Sequence, residues 1–229
     1  MKSLTLVLCL ISLSLFSQTK ESFYVVNLLG TTIYSEPDFD SQIIGRIDLG
    51  KIIYFEGVLE QKVKKRVSPE LETEGRWIEI VLDYTVGYVF SGDLSTKPTE
   101  LIIGFKDLQT VSLLGKQLHK KEYTDSVTFD GKNYAVQKIE TSYEFGMATE
   151  SFFDGCHDQE LFLEGFTLSE AYHQLINYTA RKKNNQIEIP AIISREGNIW
   201  NFSNLDAIQE LQLHDLGGGR FKITLYSCT

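Results

Sequence analysis

WIEIVLDYTVGYVFSGDLS, residues Trp77–Ser95, is the stretch whose reading decides the fold. Trp77, Ile78, Glu79, Ile80 and Val81 form a β-prone run with near-alternating character. Asp83, Tyr84 and Thr85 make a turn, and Val86–Phe90 returns as a second strand. Upstream, LLGTTIYSEPDFDSQIIGRIDLGKIIYFEG (Leu28–Gly57) is its companion, a series of short runs. Ile33, Ile43, Ile44 and Ile47 mark short apolar runs, and Phe23–Asn27 is a further strand. Between them SEPDFDS (Ser35–Ser41) gathers Pro, Asp and Ser, which favour turns because they fix φ or bond their own backbone. Asp48-Leu49-Gly50 turns into the β-prone run KIIYFEGV. Many short strands at roughly ten-residue spacing predict an all-β barrel or sandwich. The segment Leu59–Arg76, with the basic patch KVKKR (Lys62–Arg66) followed by Glu70, Glu72 and Glu74, reads as a solvated loop of mixed charge.

Over about residues 23–96 these elements resemble a bacterial SH3 domain (SH3b). Thr31–Ser35, Glu36-Pro37, Ile43-Ile44-Gly45, Leu49-Gly50-Lys51, Trp77-Ile78-Glu79-Ile80, and Gly87-Tyr88-Val89 with Leu94-Ser95 carry the resemblance in the family's order. It implies a small β-barrel that binds rather than catalyses, with a peptidoglycan peptide or an envelope protein as partner. Two departures bear on the ligand. Tyr34 stands where the family often has Arg before the Ser, and the Leu59–Arg76 insert is longer than usual. Tyr34, Glu36, Trp77, Tyr84 and Tyr88 are the candidate ligand-binding residues. Trp77 is weighted toward the core, and Tyr34 and Tyr84, in loops, toward the surface. An aromatic groove flanked by Glu36 and Asp38 suits a peptide with a basic group, such as the diamino acid of a wall stem peptide.

Pro98, between Thr96 and Thr99, marks a linker, because proline cannot join a central ladder. The expected division is an SH3b-like domain over 22–97 and an α+β domain over 98–229, which resembles no family. Leu101–Phe105 and Thr110–Leu114 read as strands. Three hairpins follow: one around Asp130-Gly131, one around Arg195-Glu196-Gly197 and one around Gly217–Gly219. One helix is well marked. Thr167 and Glu170 form a capping box, and Leu168, Ala171, Tyr172, Leu175 and Ile176 form one apolar stripe, from which His173 points away toward solvent. The fold class is therefore mainly β with one clear helix.

Lys2 followed by the apolar run Leu4–Phe16 and the small residue Ser17 has the layout of a secretory signal, assigned to residues 1–17 and including Cys9. The product is expected to be secreted or periplasmic, with no stable membrane span after cleavage. The formal charge of −9 excludes no fold, but an acidic chain whose single basic patch, Lys62–Arg66, is followed by Glu70, Glu72 and Glu74 argues against nucleic acid as partner. Cys156 and Cys228 then remain, an even number in an oxidising compartment, and are expected to form a disulfide.

A second reading is a Cys–His wall peptidase or amidase using Cys156 and His214. Such chemistry needs a thiolate beside an imidazole, often at a helix N-terminus. Phe153-Asp154-Gly155-Cys156-His157-Asp158 resembles the nucleophile motif of NlpC/P60 peptidases, which pair with SH3b domains, but Gly155 intrudes and the helix begins too late. No catalytic residue is therefore assigned. His119, His157, His173 and His214 are scattered, so no metal site is assigned, although His157 with Asp154 and Asp158 is a conceivable cation turn. No cofactor is expected: Gly217–Gly219 lacks the lysine and following helix of a phosphate loop.

Overall fold

A computed structural model describes residues 22–82, 84–103, 108–129 and 131–228. Residues 1–17, expected to be a secretory signal and including Cys9, the turn residues Asp83 and Asp130, and the end of the strand expected over 101–105 lie outside the described residues. The chain is mainly β with one helix among the described residues.

The N-terminal segment holds β1 (Ser22–Val25), β2 (Thr31–Tyr34), β3 (Ile43–Ile47), β4 (Ile52–Tyr54), β5 (Gly57–Ser68), β6 (Leu71–Leu82), β7 (Thr85–Phe90) and β8 (Leu94–Ser95). They form a five-stranded sheet, β3-β2-β7-β6-β5, and a three-stranded sheet, β4-β1-β8. Neither sheet closes on itself as a barrel. Instead Val25, Ile53 and Leu94 of the smaller sheet meet Ile33, Ile78, Ile80 and Val89 of the larger in one apolar cluster.

The segment Leu59–Arg76 is strand, not loop. Most of it lies in a long hairpin of β5 and β6, with Lys64 opposite Glu74 and Arg66 opposite Glu72. Lys62 Nζ lies 2.6 Å from Glu74 Oε1, and Lys64 Nζ lies 3.7 Å from Glu72 Oε2. Opposite charges on facing strands thus take the part that apolar alternation plays in a half-buried ladder. At the hairpin tip the Ser68 hydroxyl accepts the backbone N–H groups of Glu70 and Leu71, both at 3.1 Å.

The C-terminal segment holds β9 (Glu100–Ile103), β10 (Gln109–Ser112), β11 (Gln117–Phe129), β12 (Lys132–Tyr143), β13 (Gly146–Phe153), β14 (Cys156–Glu164), α1 (Leu168–Thr179), β15 (Arg181–Lys183), β16 (Gln186–Glu188), β17 (Ile192–Glu196), β18 (Ile199–Phe202), β19 (Ile208–Gly217) and β20 (Arg220–Cys228). Eight of them make one antiparallel sheet in the order β11-β12-β13-β14-β20-β19-β18-β17. The three expected hairpins are its β11–β12, β17–β18 and β19–β20 pairs. Pro190 falls between β16 and β17 and separates them.

The capping box forms: Thr167 Oγ1 accepts from Glu170 N at 3.2 Å, and Glu170 Oε2 accepts from Thr167 N at 2.8 Å. The apolar stripe of α1 packs into one cluster with Leu161, Leu163, Leu213 and Ile223 of the large sheet. His173 does not face solvent. It is 6% exposed, and its Nε2 donates to Gly92 O at 3.0 Å, because the N-terminal segment covers the polar side of the helix. Asn177 Nδ2 donates to Val26 O at 2.7 Å, while Gln174 Oε1 and Asn177 Oδ1 accept from the N–H groups of Leu113 and Val111. Val26, Leu28 and Leu71 join the apolar cluster of the helix, so the two segments share a core.

Candidate binding face

Strand alternation puts Trp77, Glu79 and Val81 of β6 on the same face as their partners Phe90, Tyr88 and Val86 of β7, opposite the Ile78, Ile80 and Val89 core. Tyr34 is the register partner of Tyr88, so Tyr34, Tyr88 and Glu79 form a row across the sheet. The loop between β2 and β3 lays Phe39 onto this face. Its fold is local: Ser41 Oγ donates to Asp38 O at 2.8 Å, and Asp40 N donates to Asp38 Oδ1 at 3.0 Å. The Phe39 ring centroid is 4.7 Å from Trp77, 5.3 Å from Phe90 and 5.9 Å from Tyr34, and Tyr34 is 5.4 Å from Trp77. These are tilted and edge-on arrangements, which suit the ring quadrupoles. Phe90 needs space as well. A Cβ on Gly75 or Gly92 would run into its ring.

Four of the five sequence-predicted binding residues fall on or beside this face, in different roles. Trp77 is 3% exposed and supports the face from beneath, while Tyr34 and Tyr88 are half-buried. Glu36 is exposed on the β2–β3 loop. Tyr88 Oη donates to Glu79 Oε2 at 3.3 Å. Burial first, then the Glu79 charge, raise the Tyr88 phenol above its ordinary value, and Glu36 adds to this, so two carboxylates act on one hydroxyl. Tyr84 stands apart. It is wholly exposed at the β6–β7 tip with φ 65°, four residues from Tyr88, a span of about 13 Å along an extended strand.

Cys156 and Cys228 face each other in the β14–β20 register and form a disulfide. His214 is not brought to Cys156. It pairs with Lys222, six residues along β20 from Cys228, about 20 Å at strand rise. His214 Nε2 instead lies 3.0 Å from Gln212 Oε1, and burial, then the Lys222 charge, lower its pKa. His157 Nε2 sits 3.1 Å from Glu150 Oε2, its ring stacked on Phe152 at 4.3 Å, and Asp154 belongs to a turn with φ 47°. Among the described residues no group of three or more His, Cys, Asp or Glu side chains is placed to hold a metal ion.

Two members of the face escaped sequence reasoning. Phe39 is embedded in a run of turn formers, and its one signal was a large aromatic residue where such loops are usually polar. Glu79 was hidden by its place inside a strand pattern, although alternation puts it beside Tyr88. Fold and face together define a mainly β chain with one disulfide compatible with an oxidising compartment; no helix among the described residues is long and apolar enough to cross a membrane. Compared with known proteins, the chain matches no family model, no curated protein and no solved structure.

Proposed function

We propose that this is an exported, non-catalytic binding protein of the bacterial cell envelope, and that residues 22–97 are an SH3b-like module recognising wall peptide. The observation that carries the reading is the row Tyr34–Tyr88–Glu79, backed by Trp77 and Phe39 and flanked by Glu36. Aromatic faces attract a cation through the ring quadrupole, and two carboxylates beside them add charge. A peptide with a free ammonium group, such as the diamino acid of a wall stem peptide, meets both. The two sheets sharing the Val25, Ile33, Ile53 and Val89 cluster are consistent with an open SH3-like arrangement.

The test is co-sedimentation of the purified protein with isolated peptidoglycan. Wild type is expected to sediment with it, and Tyr34→Ala with Tyr88→Ala to reduce binding at least tenfold at a temperature where circular dichroism shows the variant folded. Acetylating the peptide ammonium groups should have the same effect. Undiminished binding by the double variant would remove this face from the function, and binding only to an envelope protein would make that protein the partner.

A further inference from the structure

We propose a second binding site, at the C-terminal end of α1, that takes an uncharged and largely apolar small molecule bearing one hydrogen-bonding edge. A cleft of about 410 Å³ opens there between the helix end, the loop before β19 and the large sheet. That volume falls in the range of about 300–1,000 Å³ typical of small-ligand pockets. Leu205, Ala207, Ile208 and Leu225 supply apolar wall.

Among the polar residues of the lining, Gln159 and Tyr178 are neutral hydrogen-bonding groups. Gln159 is 5% exposed and lines the cleft from the sheet. Tyr178 lines the cleft beside it, 37% exposed, and burial first, then the Glu150 charge, push its hydroxyl up. It stays protonated at neutral pH and can serve a ligand carbonyl or hydroxyl.

Charge selects against ions. The Arg181 side chain is 8% exposed, with Nε 2.7 Å from Glu188 Oε2 and Nη1 2.6 Å from Asp206 Oδ2. Two carboxylates already balance this guanidinium, so an anionic ligand would meet their repulsion. A cationic ligand would lose its hydration against the apolar wall. The walls are braced before any ligand arrives: Cys228 N donates to Ala207 O at 3.2 Å, and the Cys156–Cys228 disulfide flanks His157 and Ser227 at the cleft. Such preorganisation lowers the ordering cost of binding.

The test is fluorescence titration of the full chain, disulfide intact, with N-phenyl-1-naphthylamine, an uncharged probe that brightens in apolar sites. The expected result is a saturable one-to-one rise. Ala207→Trp, which fills the cleft from an exposed position, should weaken it at least tenfold. Tyr34→Ala with Tyr88→Ala should leave it unchanged, which separates this site from the wall-binding face. The anionic relative 8-anilinonaphthalene-1-sulfonate should bind at least tenfold more weakly. Amide shifts on adding the neutral probe to wild type should centre on Tyr178, Ala207 and Ser227, which keeps the test independent of how Ala207→Trp folds. No saturable rise, shifts centred elsewhere, an unaffected folded Ala207→Trp variant or equal binding of the sulfonate each overturns the proposal.

Discussion

Asp93 Oδ1 lies 3.7 Å from His173 Nε2, linking the turn before β8 to the middle of α1. The carboxylate is held on several sides: Asn27 Nδ2 donates at 2.9 Å, Thr31 Oγ1 at 3.3 Å and Lys65 Nζ at 3.0 Å. Burial alone would raise the Asp93 pKa, but the neighbouring His173 imidazole and the Lys65 charge outweigh it and lower it to about 2. A depressed folded pKa stabilises the protein above the ordinary carboxyl value and loses that contribution as pH falls through the folded value. The window is therefore between about pH 4 and 2, and the linked free energy is about 2 kcal/mol. Urea unfolding at steps from pH 7 to pH 2 should show this loss. Asp93→Asn should be less stable at pH 7 and lose less below pH 4; an acid limb as steep as that of wild type would refute the assignment.

Glu170 should matter more than the cap it completes. Thr167→Ala removes one half of the capping box and should cost about 1 kcal/mol. Glu170 also accepts from Ser95 Oγ at 2.6 Å and pairs with Lys97 Nζ at 3.2 Å, where the lysine side chain is 12% exposed. Glu170→Ala leaves that ammonium nearly buried without its carboxylate, and breaking such a pair costs about 3–5 kcal/mol. Chemical denaturation of both variants checks the ranking. Adding Lys97→Met to Glu170→Ala should recover part of the loss, since the stranded charge is then gone.

The same helix shows what the sequence could disclose. Its cap and its apolar stripe were legible because both are local: a capping box spans four residues, and the stripe repeats with the helical period. The burial of His173, Gln174 and Asn177 was not. These are polar residues on the side away from the stripe, and helical periodicity sends such residues to solvent. They are buried because they bond backbone groups of other segments, Gly92, Leu113, Val111 and Val26, and a helical wheel holds no information on those partners. The β5–β6 hairpin was hidden for a related reason. Lys64 opposite Glu74 stabilises a ladder as a cross-strand pair, yet along the chain each reads as a solvated charge. On the binding face, Tyr34 and Tyr88 were legible as residues, but their register was set by the sheet order β2-β7-β6.

The disulfide closes a loop with a sequence separation of 72, between strands that are already paired. In the chain-entropy view its removal destabilises the fold by about 4 kcal/mol, acting mainly on the unfolded chain. Cys156→Ser with Cys228→Ser should therefore lower the urea midpoint strongly while leaving the far-ultraviolet circular dichroism of the folded state unchanged. Thiol titration of the unreduced wild-type chain after removal of residues 1–17 should find no free thiol, and reduction under denaturing conditions should release two. A free thiol before reduction would restore Cys156 as a candidate nucleophile.

Gly146 and Gly57 make opposite predictions from similar strand positions. A Cβ on Gly146 would drive into the backbone carbonyl of Phe162 on β14 and also approach Leu114 Cδ2 at 3.3 Å. The carbonyl is backbone and cannot swing aside as the free end of a flexible side chain would. The preceding residue, Phe145, is fixed by two backbone bonds, its N–H to Leu114 O and its carbonyl from Glu164 N, both at 3.0 Å, so the strand cannot back away without breaking one. Gly146→Ala should then cost about 1–3 kcal/mol, as overpacking does. Gly57 opens β5 with nothing within 4 Å of the position a methyl group would take and no left-handed φ. Gly57→Ala should be neutral or stabilise by up to about 1 kcal/mol, because alanine reduces the freedom of the unfolded chain. Thermal melts of the two variants side by side check the contrast, and equal midpoints would mean that β13 does not approach the Phe162 carbonyl so closely.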